Sequence, residues 1–390
     1  MALKEKFLNK SKSYIYYKNS HVSLTNENKK LHNQLSAKDY EINKLKNQLQ
    51  SKENKIHELE NHLIHNENGF IFSIIIAIFN TENYLSEAID SILNQSFPLD
   101  KIQIVLINDG STDNCEEICN RYLEKYPNNF VYQYQKNQGQ SVARNNGLKI
   151  AEGKFINFLD SDDKLELNTL EEIYYHFIKF GDEIDMISIP RYLFGAQKGY
   201  MGFSEKYKPN RIINVEDEFN FPQVSISATF IRKVAFKDNF NTKLIISEDS
   251  LLLNKIILNK CKFGVVGDVK YLYRKRFESN STIDTKKTKK EYFSMRMEIY
   301  FKDLINYAID KYGVVPKYIQ SVLIYDLRWL FEQKTEINIL SNDEKEEYYA
   351  HIFDVIQYID DDIICLQNFD DSLKKHMINF KRGVEKFYHE

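Results

Sequence analysis

Between His21 and Leu63, apolar residues return every three or four positions in a stretch of Lys, Asn, Glu and Gln without Pro or Gly. A heptad grid puts His21, Asn28, Leu35, Ile42, Leu49, Ile56 and Leu63 at a, and Leu24, Leu31, Lys38, Leu45, Lys52 and Leu59 at d. Ile or Leu at a with Leu at d suits two strands, and one Asn at a fixes register at some cost in stability. The g-to-e′ pairs Glu41–Lys46 and Lys55–Glu60 attract in a parallel dimer. A helix packed on its own domain would show a wider stripe. The pattern therefore predicts a homodimeric coiled coil over residues 21–66.

"NENGF" ends that helix, and the period changes. "FSIIIAIFN" (72–80), "KIQIVLIND" (101–109), "FVYQYQK" (130–136) and "KFINFLD" (154–160) are short apolar runs that read as buried strands. Between them lie "ENYLSEAIDSILNQ", "NCEEICNRYLEKY" and "GQSVARNNGLKIAEG", each with spacing near 3.6. Strands alternating with helices of about ten to fifteen residues predict βαβ units and a mainly parallel, Rossmann-like α/β sheet. Ligands of such sheets bind outside the carboxyl ends of the strands. That edge carries Asn80, Asp109, the Asn137–Gln138–Gly139 turn and the Asp160–Asp163 cluster.

Beyond Asp163 the pattern mixes strands, "EIDMISIPRY" and "QVSISATFIRK", with the helix "SEDSLLLNKIILNK" and a strand "FGVVGDVKYLYRKR". From about Lys286 the chain reads as a separate, nearly all-helical region in which Trp329, spaced helically with Ile324, Leu327 and Leu330, is expected in the core. The expected division is a basic segment 1–20, a coiled coil 21–66, an α/β domain 70–284 and a helical domain 285–390.

Composition adds exclusions. A formal net charge of −3 over 390 residues argues against nucleic acid as a partner. Four scattered cysteines make neither a disulfide framework nor a zinc site. No signal peptide or membrane span is visible, so a cytoplasmic protein is expected. Lys4, Lys6, Lys10, Lys12 and Lys18 interleave with Phe7, Leu8, Tyr14, Ile15 and Tyr17. Such a mixture suits peripheral contact at the inner face of an anionic membrane, a solvated and frayed terminus being the simpler reading.

"FINFLDSDDKLEL" (155–167) gathers Asp160, Asp162 and Asp163 around Ser161. Clustered carboxylates raise one another's pKa and need a partner. A calcium loop starting at Asp160 fails, because its sixth position is Leu165 where Gly is required. A helix N-cap accounts for one Asp. A hard divalent cation with oxygen ligands, Mn²⁺ or Mg²⁺, accounts for the cluster. Neither the dinucleotide fingerprint nor the phosphate loop is present.

"SIIIAIFNTENYLSEAIDSILNQSF", "VLINDGSTDNCEEI", "NQGQSVARNNGLKIAEGKFINFLDSDD" and "SED", in that order over residues 71 to about 284, resemble glycosyltransferase family 2. The resemblance departs at Ala77-Ile78-Phe79, where the family usually has proline and then a small or aromatic residue. It implies the GT-A nucleotide-diphospho-sugar transferase fold and inverting transfer from a UDP-sugar. The acceptor would be a hydroxyl of a growing oligosaccharide or lipid-linked bacterial surface glycan, such as capsule or lipooligosaccharide. It gives the uracil ring to Asp109, and the rest of that pocket to Ile78, Phe79, Asn80 and Glu82, beside Gly139. It gives the ribose and metal-bound water to Asp160 next to Ser161, and the metal itself to Asp162 with Asp160. Arg144 is placed to pair with these carboxylates or the diphosphate. Asp249 resembles the general base, with Glu248 next in line. Arg274 and Arg276, on one face of a strand by alternation, resemble a basic segment that meets the diphosphate, with Ser279 in a following loop. No matching metal-binding His is present, so the third protein ligand stays open. The reading from another class is a coiled-coil scaffold whose GT-A domain binds nucleotide-sugar without catalysis.

Overall fold

The computed structural model describes residues 2–202, 204–276, 289–332, 337 and 339–387, in two compact units, Met1–Glu67 and Asn68–Glu390. The first is one helix, α1 (Ala2–Asn66), about 100 Å long at 1.5 Å per residue. The first twenty residues, expected as a frayed segment, are helical from Ala2 and continuous with the heptads. Leu31, Leu35, Ile42 and Leu45 of the heptad strip are 49–59 % exposed.

In the second unit the alternating pattern becomes β1 (Phe72–Ile78), α2 (Glu82–Leu93), β2 (Ile102–Asn108), α3 (Cys115–Lys125), β3 (Phe130–Tyr134), α4 (Gln140–Ile150) and β4 (Phe155–Phe158). β1 pairs in parallel with β2 and β4, and β2 with β3. β1 and β2 are covered on both faces, which is why they read as continuous apolar runs. The sheet continues through β10 (Thr229–Arg232), antiparallel to β4, then β6 (Met186–Ser188), β11 (Lys262–Val265) and β9 (Arg211–Asn214). A second sheet joins β5 (Lys164–Leu165), β12 (Tyr271–Lys275), β7 (Arg191–Gly195) and β8 (Gly199–Met201).

Residues 263–276, expected as one strand, are two strands in two sheets. The break falls at Gly267, where a Cβ would stand 2.2 Å from the Tyr207 carbonyl oxygen. The break matters for the site, because it sends β12 behind the acidic cluster.

Helix α5 (Thr169–Phe180) follows β5, and helix α6 (Glu248–Lys260) is followed by helical segments at Glu291–Met295, Arg296–Phe301 (a π-helix), Lys302–Tyr312, Lys317–Phe331 and Asn342–Gln357. The boundary expected at 284/285 lies outside the described residues. One apolar core runs from Ile75 and Val105 through Leu253 to Leu327 and Ile352, so these helices share the core of the sheet. Trp329 is 50 % exposed and outside that core. The Arg328 guanidinium lies over its ring at 4.2 Å, an arrangement that needs no burial. All four cysteines are free, and burial pushes the Cys115 and Cys119 thiols up to about 11 and about 12, as in inert core thiols. Among the described residues no helix is long and apolar enough to cross a membrane.

Candidate active site

The carboxyl ends of β1 and β2 are shaped by their own polar residues. Asn80 adopts a left-handed backbone (φ 51°), and its Oδ1 accepts from Thr112 N–H at 2.8 Å. Glu82 Oε2 accepts from the backbone and side chain of Asn114 at 2.9 and 2.6 Å. Asp109 is buried, and its carboxylate accepts from Gln135 Nε2 (2.7 Å), Gln138 N–H (2.9 Å) and Gly139 N–H (2.8 Å). A carboxylate has about four acceptor positions, so one remains for a ligand. Gly110, at φ 77°, packs where a Cβ would lie 2.7 Å from Asn137 N, which holds the two loops together. Phe79 is 47 % exposed at this edge. The Ile78 side chain is fully buried, and its carbonyl accepts from Asp109 N–H.

Helix α4 lies close on the sheet because Gly147 faces Ile75, where a Cβ would come within 2.4 Å of Cγ2. This close approach sets Arg144, 4 % exposed, under the strand ends. Its Nη2 donates to Asp160 Oδ1 at 2.9 Å and its Nη1 to Asp249 Oδ1 at 2.7 Å, with Glu248 Oε1 3.6 Å from Nη1. One guanidinium thus joins a carboxylate of the strand-four cluster to the acidic start of α6, Asp249 lying 105 residues from Arg144 in the chain.

The other two carboxylates are held from β12. Asp163 accepts from Tyr271 Oη and Arg274 N–H, both at 2.7 Å. It is buried, and desolvation, then Asp160 and Asp162, raise it well above the carboxylate range. Its role is structural. Asp162 Oδ2 accepts from Arg276 Nε and Nη2 at 2.9 and 2.6 Å, while Arg274 Nε donates to the Asp162 carbonyl at 2.7 Å. Both guanidinium groups lie 4.9 Å from the Tyr84 ring. Ser161 is buried between these residues in the chain; Ser279 lies outside the described residues.

α6 begins strained. Ser247 has φ 65°, a left-handed conformation worth roughly 1–2 kcal/mol for a residue with a Cβ. Such outliers collect at functional sites. The Asp249 carboxyl is pushed up to about 7, by desolvation first and by Glu248 and Asp160 as well, with Arg144 opposing. A group near half-ionised at neutral pH suits proton transfer. Glu248 Oε1 also accepts a hydrogen bond from Gln140 Nε2. On the far side of the helix, Ser250 Oγ meets Tyr300 Oη at 2.8 Å, and Tyr300 donates to Asp326 Oδ2 at 2.5 Å.

Do these residues fit a divalent cation? Among the described residues no group of three or more His, Cys, Asp or Glu is arranged to hold one. Asp160 and Asp162 each engage a single carboxylate oxygen in the hydrogen bonds above, leaving Asp160 Oδ2 and Asp162 Oδ1 as hard donors. Mg²⁺ is commonly held by one or two carboxylates completed by substrate phosphates and water. The donor set fits a cation of that kind and no closed, all-protein cage.

Tyr84, Gln140, Tyr271 and Tyr300 escaped the sequence reading. Each acts through a partner distant in the chain, which the local pattern does not record.

The family model "Glycosyl transferase family 2" matches residues 73–240. The chain is 39 % identical over 295 residues to the minor teichoic acid biosynthesis protein GgaB of Bacillus subtilis, covering 75 % of this chain and 33 % of that one. It thus spans about a third of that relative. It is 31 % identical over 318 residues to the minor teichoic acid biosynthesis protein GgaA of the same organism, covering 79 % of this chain and 71 % of that one. The crystal structure of S. aureus TarS 1–349 in complex with UDP-GlcNAc shares the fold (TM-score 0.64, 22 % identity, 81 % of this chain and 88 % of that one).

Proposed function

Because the chain belongs to glycosyltransferase family 2, we propose that it transfers a sugar, with inversion, from a UDP-sugar to a hydroxyl of a teichoic-acid-type surface polymer. The names of GgaB and GgaA favour that polymer class over capsule or lipooligosaccharide, and the UDP-GlcNAc complex of TarS favours the donor class. The observation that carries the reading is the Arg144 bridge, which holds Asp160 and Asp249 on two nitrogens of one guanidinium. A donor-side carboxylate and a candidate base therefore face one small volume.

In this reading Asp249 accepts the proton of the acceptor hydroxyl as that oxygen attacks the sugar. Arg144 keeps the Asp249 carboxylate oriented. Phe79, Asn80, Glu82 and Asp109, with Gly139, border the nucleoside. Arg274 and Arg276, stacked on Tyr84, stand beside the diphosphate. A divalent cation on Asp160 and Asp162 would offset charge on the departing diphosphate. The exposed heptad strip of α1 pairs with a second copy of the chain, its register set by Asn28 and the Glu41–Lys46 pairs.

The test is UDP release from a panel of UDP-sugars by the full-length protein, with Mn²⁺ or Mg²⁺. Release from at least one donor supports transfer; UDP binding without release from any donor would make the chain a scaffold. Light scattering of the full chain and of residues 67–390 tests the pairing, a dimer and a monomer being expected.

A further inference from the structure

Between β9 and β10 runs an irregular segment, residues 222–228. Gln223, 3 % exposed, anchors it. Its Oε1 accepts from Lys206 Nζ at 2.7 Å, and its Nε2 donates to Thr229 Oγ1 at 3.0 Å and to the Ser225 carbonyl at 3.3 Å. Its own carbonyl accepts from Asn254 Nδ2 at 3.1 Å. Asn254 belongs to α6, as does Asp249. A little further along, the Ile226 N–H donates to Asp249 Oδ2 at 3.4 Å. The segment is therefore tied to the helix of the candidate base at two positions, and to a lysine from another part of the chain.

Lys206 is the costly member of this arrangement. It is 4 % exposed, in a turn of 3-10 helix at Ser204–Tyr207. Its Nζ donates to neutral oxygens, those of Gln223 and of the Pro222 carbonyl at 3.5 Å, and lies over the Tyr207 and Phe263 rings at 5.0 and 5.8 Å. Among the described residues no carboxylate pairs with it. A buried ammonium without a counter-ion is unfavourable, and desolvation, with Arg191 adding to it, pushes this one down to about 7. Breaches of that kind are expected where function rather than stability chooses the residue.

The function it serves lies at the other end of the segment. Arg144 holds Asp249 Oδ1 at 2.7 Å, and the Ile226 N–H meets Oδ2. A carboxylate held by one oxygen alone can turn about its Cβ–Cγ bond, a torsion with broad minima; one held by both cannot. We propose that Gln223 and Lys206 are positioning residues: they fix residues 222–226 so that the Ile226 N–H and Arg144 together set the plane of the Asp249 carboxylate. The inference rests on the glycosyl-transfer reading, in which Asp249 is the base. Both residues act through the Ile226 amide, at one remove from the reacting atoms.

The experiment compares the full-length wild type with Gln223→Leu and Lys206→Met on a UDP-sugar that the donor panel identifies, with kcat expressed per folded molecule. Gln223→Leu should lower kcat about ten- to hundredfold, as for a group displaced by about an ångström, with KM for the UDP-sugar unchanged. Lys206→Met should lower kcat by less and leave stability intact, because a buried charge is removed. In Gln223→Leu the acid limb of kcat/KM should move to higher pH, since a donor that favours the carboxylate form is lost. Arg144, Asp160 and Glu248, the charged groups around Asp249, stay in place in that variant. Unchanged kcat in both variants, or a fall in kcat with the limb unmoved, overturns the proposal. If Gln223→Leu does not fold, Gln223→Glu takes its place: it keeps an acceptor for Lys206, drops the Nε2 donor, and should show the same changes to a smaller extent. A second readout needs no turnover. In protein labelled with ¹⁵N-isoleucine, Asp249→Asn should shift the Ile226 amide resonance in the wild-type background and not in the Gln223 variant. An equal shift in both backgrounds overturns the positioning role. A wild type that releases UDP from no donor overturns glycosyl transfer instead, and the amide resonance still decides what holds Asp249.

Discussion

Two arginines of the second unit are each 4 % exposed and sit among acids, yet their surroundings differ in kind. Arg296, in the helical region, meets one carboxylate, Asp326, at 3.3 Å, and Tyr300 Oη closes the far oxygen at 2.5 Å. Charge is balanced there. Arg144 meets three carboxylates within 4 Å, Asp160, Glu248 and Asp249, so negative charge is in excess. Desolvation first, and then that excess, push Asp249 up to about 7, and the excess leaves carboxylate oxygens facing the cleft. A balanced buried pair holds a fold together; an unbalanced one leaves carboxylate oxygens open to a ligand.

The contrast can be broken at several points. The largest effect is expected from Asp162→Ala, which removes one of the two free hard oxygens: turnover should vanish, together with any metal-dependent gain in UDP affinity. Equal UDP binding with and without Mn²⁺ in wild type and variant alike would remove the cation from the picture. Asp249→Asn should lower kcat by about 10²–10⁴, the span for losing a general base, with the melting temperature unchanged or higher because surplus charge is relieved. If kcat stays near wild type, Glu248 is the next residue to replace.

In the balanced cluster the outcome should reverse. Asp326→Ala strands Arg296 and should destabilise by about 3–5 kcal/mol, read by denaturant unfolding, while kcat per folded molecule falls far less than in Asp249→Asn.

pH sharpens the same difference. With Asp249 raised from 3.8 to about 7, its carboxylate is protonated below that pH and cannot accept a proton. kcat/KM should therefore drop about tenfold per pH unit below 7 and level off above it. The folded state also holds this proton where the unfolded chain has lost it, so stability should decline as pH rises from about 4 to about 7. Asp249→Asn should flatten both profiles. The smallest effect is that of Tyr300→Phe, about 1–3 kcal/mol for the lost hydrogen bonds to Asp326 and Ser250, visible in unfolding and accompanied by a modest fall in kcat as α6 loses its Ser250 contact.

Much of the frame was legible in the chain. The runs 72–80, 101–109, 130–136 and 154–160 became β1 to β4 within two residues at each end, because short apolar runs bounded by polar turns carry their pattern locally. Their polar ends then marked the site edge without reference to any distant residue. The heptads likewise predicted a helix with one apolar strip, and α1 exposes Leu31, Leu35, Ile42 and Leu45 along it.

What only the tertiary structure decided is which partner each polar group found. Asp163 looks like Asp162 in the sequence, but Tyr271 and the Arg274 amide bury it in a structural role. Trp329 follows Leu327 by two residues and precedes Leu330 by one, which at about 100° per residue turns it away from their face, and it is half exposed while both of them are buried. Residues 263–276 carry one apolar pattern and split between two sheets because Gly267 meets the Tyr207 carbonyl. The Arg144 bridge spans 105 residues to Asp249. Periodicity records whether a position faces the core or the solvent, a property of local geometry. Pairing of buried charges depends on which elements the packed core brings within about 3 Å of one another, and that is settled only when the whole unit closes.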